Sequence, residues 1–383
     1  MRTVYFDYNA TTPLDPAVRT AMLPFLEGEF GNPSSIHHVG RRARAFLDDA
    51  RDRVARVFAC KPSEVIFTSG GTESNNLAVL GVARRFRDKG RHIITSAVEH
   101  HAILHPCEYL REKEGFEVTL LPVDRAGRVS PDDLRKALRP DTVLVSVMAA
   151  NNEVGTLQPV AELGAICRER GVLFHTDAAQ WLGKEPFAGI HQFNADLVSI
   201  CAHKFHGTKG AGALFVRSPL LPDPILFGGG HENERRAGTE NIPAIAGMTE
   251  AIERFVRTPV FNREKLAPLA ARLREAAGSI PSVTHRSPSD GCLANTVSFS
   301  VNGCDSIVLL AGLDLEGICA SSGSACSTGS LEPSHVLMAM GCDAEESNAL
   351  VRFSVGREST MDEVELVCVA LPAVINRARG GEL

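Results

Sequence analysis

No apolar run in this 383-residue sequence approaches the roughly 20 residues that cross a bilayer. A membrane-spanning role is therefore not expected. Basic residues are in no excess either: 40 lysines and arginines face 46 acids, the net charge is -6 and the pI is near 6.1. With its basic residues scattered, the chain offers no positive field for nucleic acid, and small molecules and proteins are the expected partners. No Cys-x-x-Cys pair occurs, which leaves a structural zinc site without support, and no metal ligand set is expected. An apolar secretory stretch is missing from the first residues, where Asp7 already appears. The ten cysteines are accordingly expected to be reduced, in a cytoplasmic setting, most of them acting as small buried hydrophobes. Internal repeats and low-complexity tracts are absent.

What is present is globular composition, 44% apolar and 22% charged, with length enough for a large core and a smaller second domain. Between about 64 and 217, short β-branched or apolar runs alternate with longer amphipathic stretches, the pattern of β/α units around a parallel sheet. The runs are 64–68, 92–96, 118–122, 142–148, 172–176, 196–202 and 212–216. Helices are expected over 72–87, 101–113, 131–138 and 160–170. Pro259 marks a domain boundary after a helix over 242–256. Beyond it, helices over 262–277, 305–312, 333–340 and 360–378 and strands over 295–301 and 350–355 suggest a smaller α+β region. The expected division is 14–258 for the large α/β domain, and 1–13 with 259–383 for the small one.

Ligand sites in such sheets lie outside the carboxyl ends of the strands, and polar residues follow five separate runs here. Gly70, Gly71 and Thr72 follow the first, His100 the second, Asn151 and Asn152 the fourth, Asp177 and Gln180 the fifth, and His203 and Lys204 the sixth. The glycines and Thr72 suit either a phosphate at a helix N-terminus or an ordinary helix cap. Asp177 suits a pyridinium partner or a cap. Lys204, after Leu197-Val198-Ser199-Ile200-Cys201, suits an amine that burial makes nucleophilic. His100 suits ring stacking or proton shuttling, though spacing alone does not separate it from His101, His105, His206 or His231. Cys326 lies among Ser321, Ser322, Gly323, Ser324, Ala325 and Ser327, small neighbours that suit a mobile, reactive thiol.

Together these residues resemble cysteine desulfurases of the NifS/IscS type, class V aminotransferases in the fold-type I pyridoxal-phosphate superfamily. The likeness runs through Tyr5-Phe6-Asp7-Tyr8-Asn9-Ala10-Thr11-Thr12, Gly31-Asn32-Pro33-Ser34-Ser35, Thr72-Glu73-Ser74-Asn75-Asn76, Asn151-Asn152-Glu153-Val154-Gly155, His203-Lys204, Arg236-Ala237-Gly238-Thr239-Glu240-Asn241 and the Cys326 segment. It implies a large domain with a mainly parallel seven-stranded sheet, a smaller α+β domain, a homodimer, and pyridoxal 5'-phosphate bound covalently to Lys204. It further implies Asp177 on the pyridine nitrogen, His100 stacked on the ring, and Asn152 and Gln180 near the ring oxygen. Gly71, Thr72 and His203 would hold the phosphate, with Thr239 reaching it from the second subunit. Arg352, with Asn32 and Asn152, would bind the carboxylate of L-cysteine.

Two positions depart from the pattern: Cys201 stands where a phosphate-binding serine is common, and Thr208 where a proline is usual. A thiol is the weaker donor, so reduced cofactor affinity is expected. The implied reaction gives L-alanine and a persulfide on Cys326, with His100 shuttling protons, for delivery to an acceptor such as an iron-sulfur scaffold protein. A selenocysteine lyase, another β-lyase, or a non-catalytic scaffold of iron-sulfur assembly are the alternatives.

Overall fold

The computed structural model describes residues 3–323 and 333–380. Its strands are β1 (Val4–Tyr5), β2 (Val65–Thr68), β3 (His92–Ser96), β4 (Glu117–Leu121), β5 (Thr142–Ser146), β6 (Leu173–Asp177), β7 (Leu197–Cys201), β8 (Gly212–Val216), β9 (Val283–His285), β10 (Thr296–Val301), β11 (Ile318–Cys319) and β12 (Leu350–Ser354). Seven of them form one sheet in the order β2-β8-β7-β6-β5-β3-β4. Within it β4, β3, β5, β6 and β7 pair in parallel, while β8 runs antiparallel to both β7 and β2.

Side chains alternate across a strand, so neighbouring apolar residues enter different cores. Phe67, Ile94, Val145, Val198 and Phe215 join one buried cluster, and Ile66, Ile93, Leu144, Leu197 and Leu214 the other. A strand covered on both faces reads as a continuous apolar run, which is why these segments stand out in the sequence. β4, at the sheet edge, is partly exposed.

The smaller domain is built on the antiparallel sheet β12-β10-β9, with helices Arg263–Gly278, Ser306–Leu315 and Met361–Ala378. The N-terminal segment adds β1 to β11 in parallel and contributes Val4, Phe6 and Tyr8 to an apolar cluster with Phe261, Phe299 and Phe353.

Several elements were not legible in the sequence. Helix His38–Phe58 buries Ala43, Leu47, Ala50, Val54 and Phe58 along one face, but its many charges hide that stripe. Helices Pro16–Glu27 and Ala344–Asn348 and the short strand β9 were likewise unassigned. The run expected over 142–148 leaves the strand after Ser146. The nine described cysteines are all unpaired, and burial pushes the thiols of Cys60, Cys107, Cys167 and Cys292 up to about 12. None of the described helices is long and apolar enough to cross a membrane.

Phe299 is wholly buried, with its ring centroid 5.8 Å from that of Phe353. Phe299→Ala is expected to cost about 3–5 kcal/mol of stability, the range for emptying a large core site, as read by denaturant unfolding.

Candidate active site

Each parallel strand ends in a segment that its own hydrogen bonds turn towards one edge of the sheet. After β2, the 16-residue helix Gly71–Phe86 begins at Gly71, with no side-chain cap on its first N–H groups. After β3, His100 caps helix His101–Lys113, its Nδ1 accepting from the Ala102 N–H at 3.0 Å. A neutral imidazole that accepts at Nδ1 carries its proton at Nε2. After β5, the Asn151 side chain accepts from the N–H groups of Glu153 and Val154, both at 2.9 Å, and folds the turn that holds Asn152. Asp177 is the last residue of β6, and Lys204 closes a single 3-10 turn after β7.

These segments enclose a cavity of about 430 Å³. Gly71, Thr72, His100, Asn152 and Asp177 line it, as do Gln180, Cys201, His203, Lys204 and Arg352. Arg352 arrives from β12, so the smaller domain closes one side. Three residues singled out in the sequence are not among them. Thr239 lines a separate cavity of about 150 Å³ that shares Ser69 and Gly210 with the first. Asn32 is exposed, its side-chain oxygen taking the Ser34 N–H at 2.8 Å. Cys326 lies outside the described residues.

The electrostatics of the cavity follow from its dryness. Burial draws the Lys204 amine below the usual lysine pKa, with Arg352 acting in the same direction and Cys201, Asp177 and Asp7 opposing it. Its Nζ donates to the carbonyls of Asn9 and Ala10 at 2.8 and 2.7 Å. Burial, then Lys204 and Lys209, holds His203 near 3, and its Nδ1 lies 3.0 Å from Thr11 Oγ1. Burial likewise keeps His100 below the usual histidine value. The Cys201 thiol is pushed up by burial and sits beside Gly71, where a Cβ would approach its Sγ to 3.8 Å.

Asp177 is held at both oxygens, Oδ2 by Asn75 Nδ2 at 2.6 Å and Oδ1 by the Ala179 N–H at 2.9 Å. Arg352, 1% exposed, donates from Nη1 to the carbonyls of Asn152 and Gly323 and from Nη2 to Asp7 Oδ1, all at 2.7 Å. Its Nε is buried without a partner. The cavity thus offers an amine, a fixed carboxylate, a guanidinium, and a helix N-terminus suited to an anion.

Asn75, Asn9 and Asp7 do structural work here that their places in the sequence motifs did not reveal. Glu99, next to His100, also went unnoticed: its burial depends on the fold, and one of its partners, the Met148 N–H, is distant in sequence.

A model of the class-V aminotransferase family matches residues 4–367. Cysteine desulfurase IscS of Dictyoglomus turgidum is 48% identical over 379 residues, covering 99% of this chain and 96% of that protein. The chain belongs to the class-V aminotransferases, among their cysteine desulfurases. Cysteine desulfurase IscS of Methanosarcina thermophila is 45% identical, with 99% of this chain and 93% of that protein covered. Among solved structures, a NifS-like protein superposes with a TM-score of 0.90 at 36% identity, covering 98% of this chain and 99% of the other. SspA in complex with cysteine superposes with a TM-score of 0.81 at 34% identity, over 94% of this chain and all of the other. Desulfurases of this family depend on pyridoxal 5'-phosphate. The donor set fits that cofactor: an amine for its aldehyde, a carboxylate for its ring nitrogen and uncapped N–H groups for its phosphate.

The Glu99 carboxyl of the desulfurase is wholly buried, and burial, reinforced by Asp177, pushes its pKa up to about 8. Oε1 accepts from Ser96 Oγ at 2.5 Å and from the Met148 N–H at 2.9 Å, while Oε2 has no partner. Because the folded-state value lies above the unfolded one, this group's contribution to stability is complete below about 4.5 and is lost as pH rises towards 8. Glu99→Gln is expected to flatten that slope, so the variant gains on the native protein between pH 5 and 8 in paired urea unfolding curves. Parallel slopes for the two proteins would show that Glu99 is not protonated in the fold.

Proposed function

We propose that this desulfurase takes sulfur from L-cysteine, releasing L-alanine and leaving a persulfide on Cys326 for transfer to an acceptor protein. The observation that carries the reading is the convergence of the Lys204 amine, the Asp177 carboxylate and the Arg352 guanidinium on one cavity. Cysteine as substrate is supported by the likeness to SspA in complex with cysteine.

In this reading Gly71, Thr72, Cys201 and His203 would hold the cofactor phosphate, and Lys204 would carry the cofactor. Asp177 would serve the ring nitrogen, His100 the ring face, and Asn152 and Gln180 the ring oxygen. When bound, the cofactor supplies an electron sink for the bonds at the substrate Cα. Arg352 binds the substrate carboxylate with its guanidinium fork, helped by Asn152 and Asn32. Lys204, its pKa lowered by burial, takes the Cα proton. His100, neutral and protonated at Nε2, moves protons to and from the thiols. The Cys326 thiolate attacks the substrate sulfur, the Cβ–S bond breaks with its electron pair left on carbon, which takes up a proton to become the methyl of L-alanine, and the sulfur remains on Cys326 as a persulfide.

The placement of Thr239 in a neighbouring cavity, with Phe30, Ile36 and Phe227 each more than 80% exposed, supports a homodimer in which Thr239 serves the partner's phosphate site. An iron-sulfur scaffold protein suits the role of sulfur acceptor. Unpaired thiols throughout the described residues support a reducing, cytoplasmic setting. The division into 14–258 and 1–13 with 259–383 belongs to the same proposal, supported by the separate apolar cluster of Phe6, Phe261 and Phe353.

Purified protein loaded with pyridoxal 5'-phosphate is expected to produce sulfide and alanine in equal amounts from L-cysteine and a reductant. Cys326→Ala is expected to keep the visible absorption of the bound cofactor and lose sulfide release; release at the native rate would remove the persulfide role. Arg352→Lys is expected to raise KM for L-cysteine on the order of tenfold, because an ammonium does not reproduce the guanidinium fork. An unchanged KM would place the carboxylate elsewhere.

A further inference from the structure

Lys184 lies in the run of turns after β6, four residues beyond Gln180, and is only 4% exposed. No described carboxylate forms an ion pair with it; the neighbouring Glu185 turns to Arg263 at 2.8 Å instead. A buried amine without an acid is costly unless its hydrogens are well used. Its Nζ donates to Asn9 Oδ1 at 2.6 Å and to Gln180 Oε1, and it stands 5.0 Å from the centre of the Phe261 ring.

Both acceptors are fixed in direction. Asn9 Nδ2 donates to Thr296 Oγ1 at 2.9 Å and to the Asn152 carbonyl at 3.3 Å, which leaves Asn9 Oδ1 for Lys184. Gln180 Nε2 donates to the Asn9 carbonyl at 2.9 Å. An ammonium has donors only, so with Lys184 at Oε1 the Gln180 amide keeps its N–H groups on the side of Asn9 and the cavity.

We propose that Lys184 is a positioning residue for the cofactor ring: it grips Gln180 Oε1 and thereby presents the Gln180 N–H donor to the ring oxygen. The inference rests on the reading above in which Gln180 meets that oxygen. Without the Lys184 donor, Gln180 Oε1 is a buried acceptor with no partner, and the amide turns to recover one at the expense of its cavity-facing donor. Burial first, then Lys204 and Arg352, draws the Lys184 amine well below the usual lysine pKa, while Glu185 and Asp7 act the other way. In either protonation state it keeps N–H groups for its two acceptors.

The test is the pH midpoint of the visible absorption of the cofactor bound to Lys204, read without substrate on the holoenzyme. The groups facing that lysine are Cys201, Arg352, Asp177, Asp7, His100, His203 and Lys184 itself; of these the variants alter only Lys184, and Lys184→Gln separates its charge from its donor. Gln180→Leu measures what the amide donor is worth, and its midpoint is expected to rise by about one unit, because the donor favours the deprotonated ring oxygen. Lys184→Met is expected to raise it by a similar amount, and the double variant no further. Lys184→Gln, which keeps an N–H donor without the charge, is expected to stay near the native midpoint.

An unmoved midpoint in Gln180→Leu would overturn the reading of Gln180 itself. A moved Gln180→Leu with an unmoved Lys184→Met, or additive shifts in the double variant, would overturn the Lys184 role alone. Equal shifts in Lys184→Met and Lys184→Gln would assign the effect to charge and also overturn it. Should Lys184→Met not fold, 15N-glutamine labelling of the unmutated holoenzyme decides the matter, since the chain has three glutamines, Gln158, Gln180 and Gln192. A gripped Gln180 amide is expected to exchange its protons with solvent, and to flip about its C–N bond, far more slowly than free glutamine; rates equal to those of free glutamine would refute the grip.

Discussion

The site depends on the way Asn9 is held. Its main-chain N–H donates to Ser354 Oγ at 2.9 Å, its side-chain amide reaches Thr296, and its side-chain oxygen also accepts from Asn295 Nδ2 at 3.0 Å, all three residues belonging to the smaller domain. Its main-chain carbonyl accepts from Lys204 and Gln180, and its side-chain oxygen from Lys184, which belong to the large domain. One 1%-exposed residue from the N-terminal segment therefore joins two separately packed cores at the Lys204 amine. Hydrogen bonds shielded from water hold their directions well, and an unmade one is costly, so the two domains share a defined geometry at that point.

Arg352 extends the same constraint. It leaves the smaller domain on β12, yet its guanidinium is held by Asp7 of the N-terminal segment and by the Asn152 carbonyl of the large domain. A shift of either domain would therefore change the cavity wall that Arg352 forms. The isolated positions of Asn9 and Asp7, far from the sheet in sequence, are what allow them to bridge the domains.

Desolvation sets the charge states around this frame. Glu99 is driven up, while Lys204, His100 and His203 are driven down. The common cause is the cost of a charge away from water, which shifts each of these groups towards its neutral form. Asn75 shows the complementary device: a short amide donor on the Asp177 carboxylate fixes its direction.

Residues whose role follows from local pattern were legible in the sequence: the doubly covered strands, whose continuous apolar runs are intrinsic to the chain, and the polar residues that follow them at the sheet edge. The Lys204, Asp177 and His100 segments were found this way because strand ends in a parallel sheet converge whatever the details of packing. Tertiary structure alone decided which distant groups meet there: Asn75 with Asp177, Lys184 with Asn9, and Asn9 with both domains. It also separated Thr239 and Asn32 from the main cavity, which no spacing along the chain foretold. The physical reason is that apolar periodicity is written residue by residue. A buried polar group, by contrast, is satisfied by whichever partner the completed fold brings within about 3 Å, and that partner has no fixed distance in sequence.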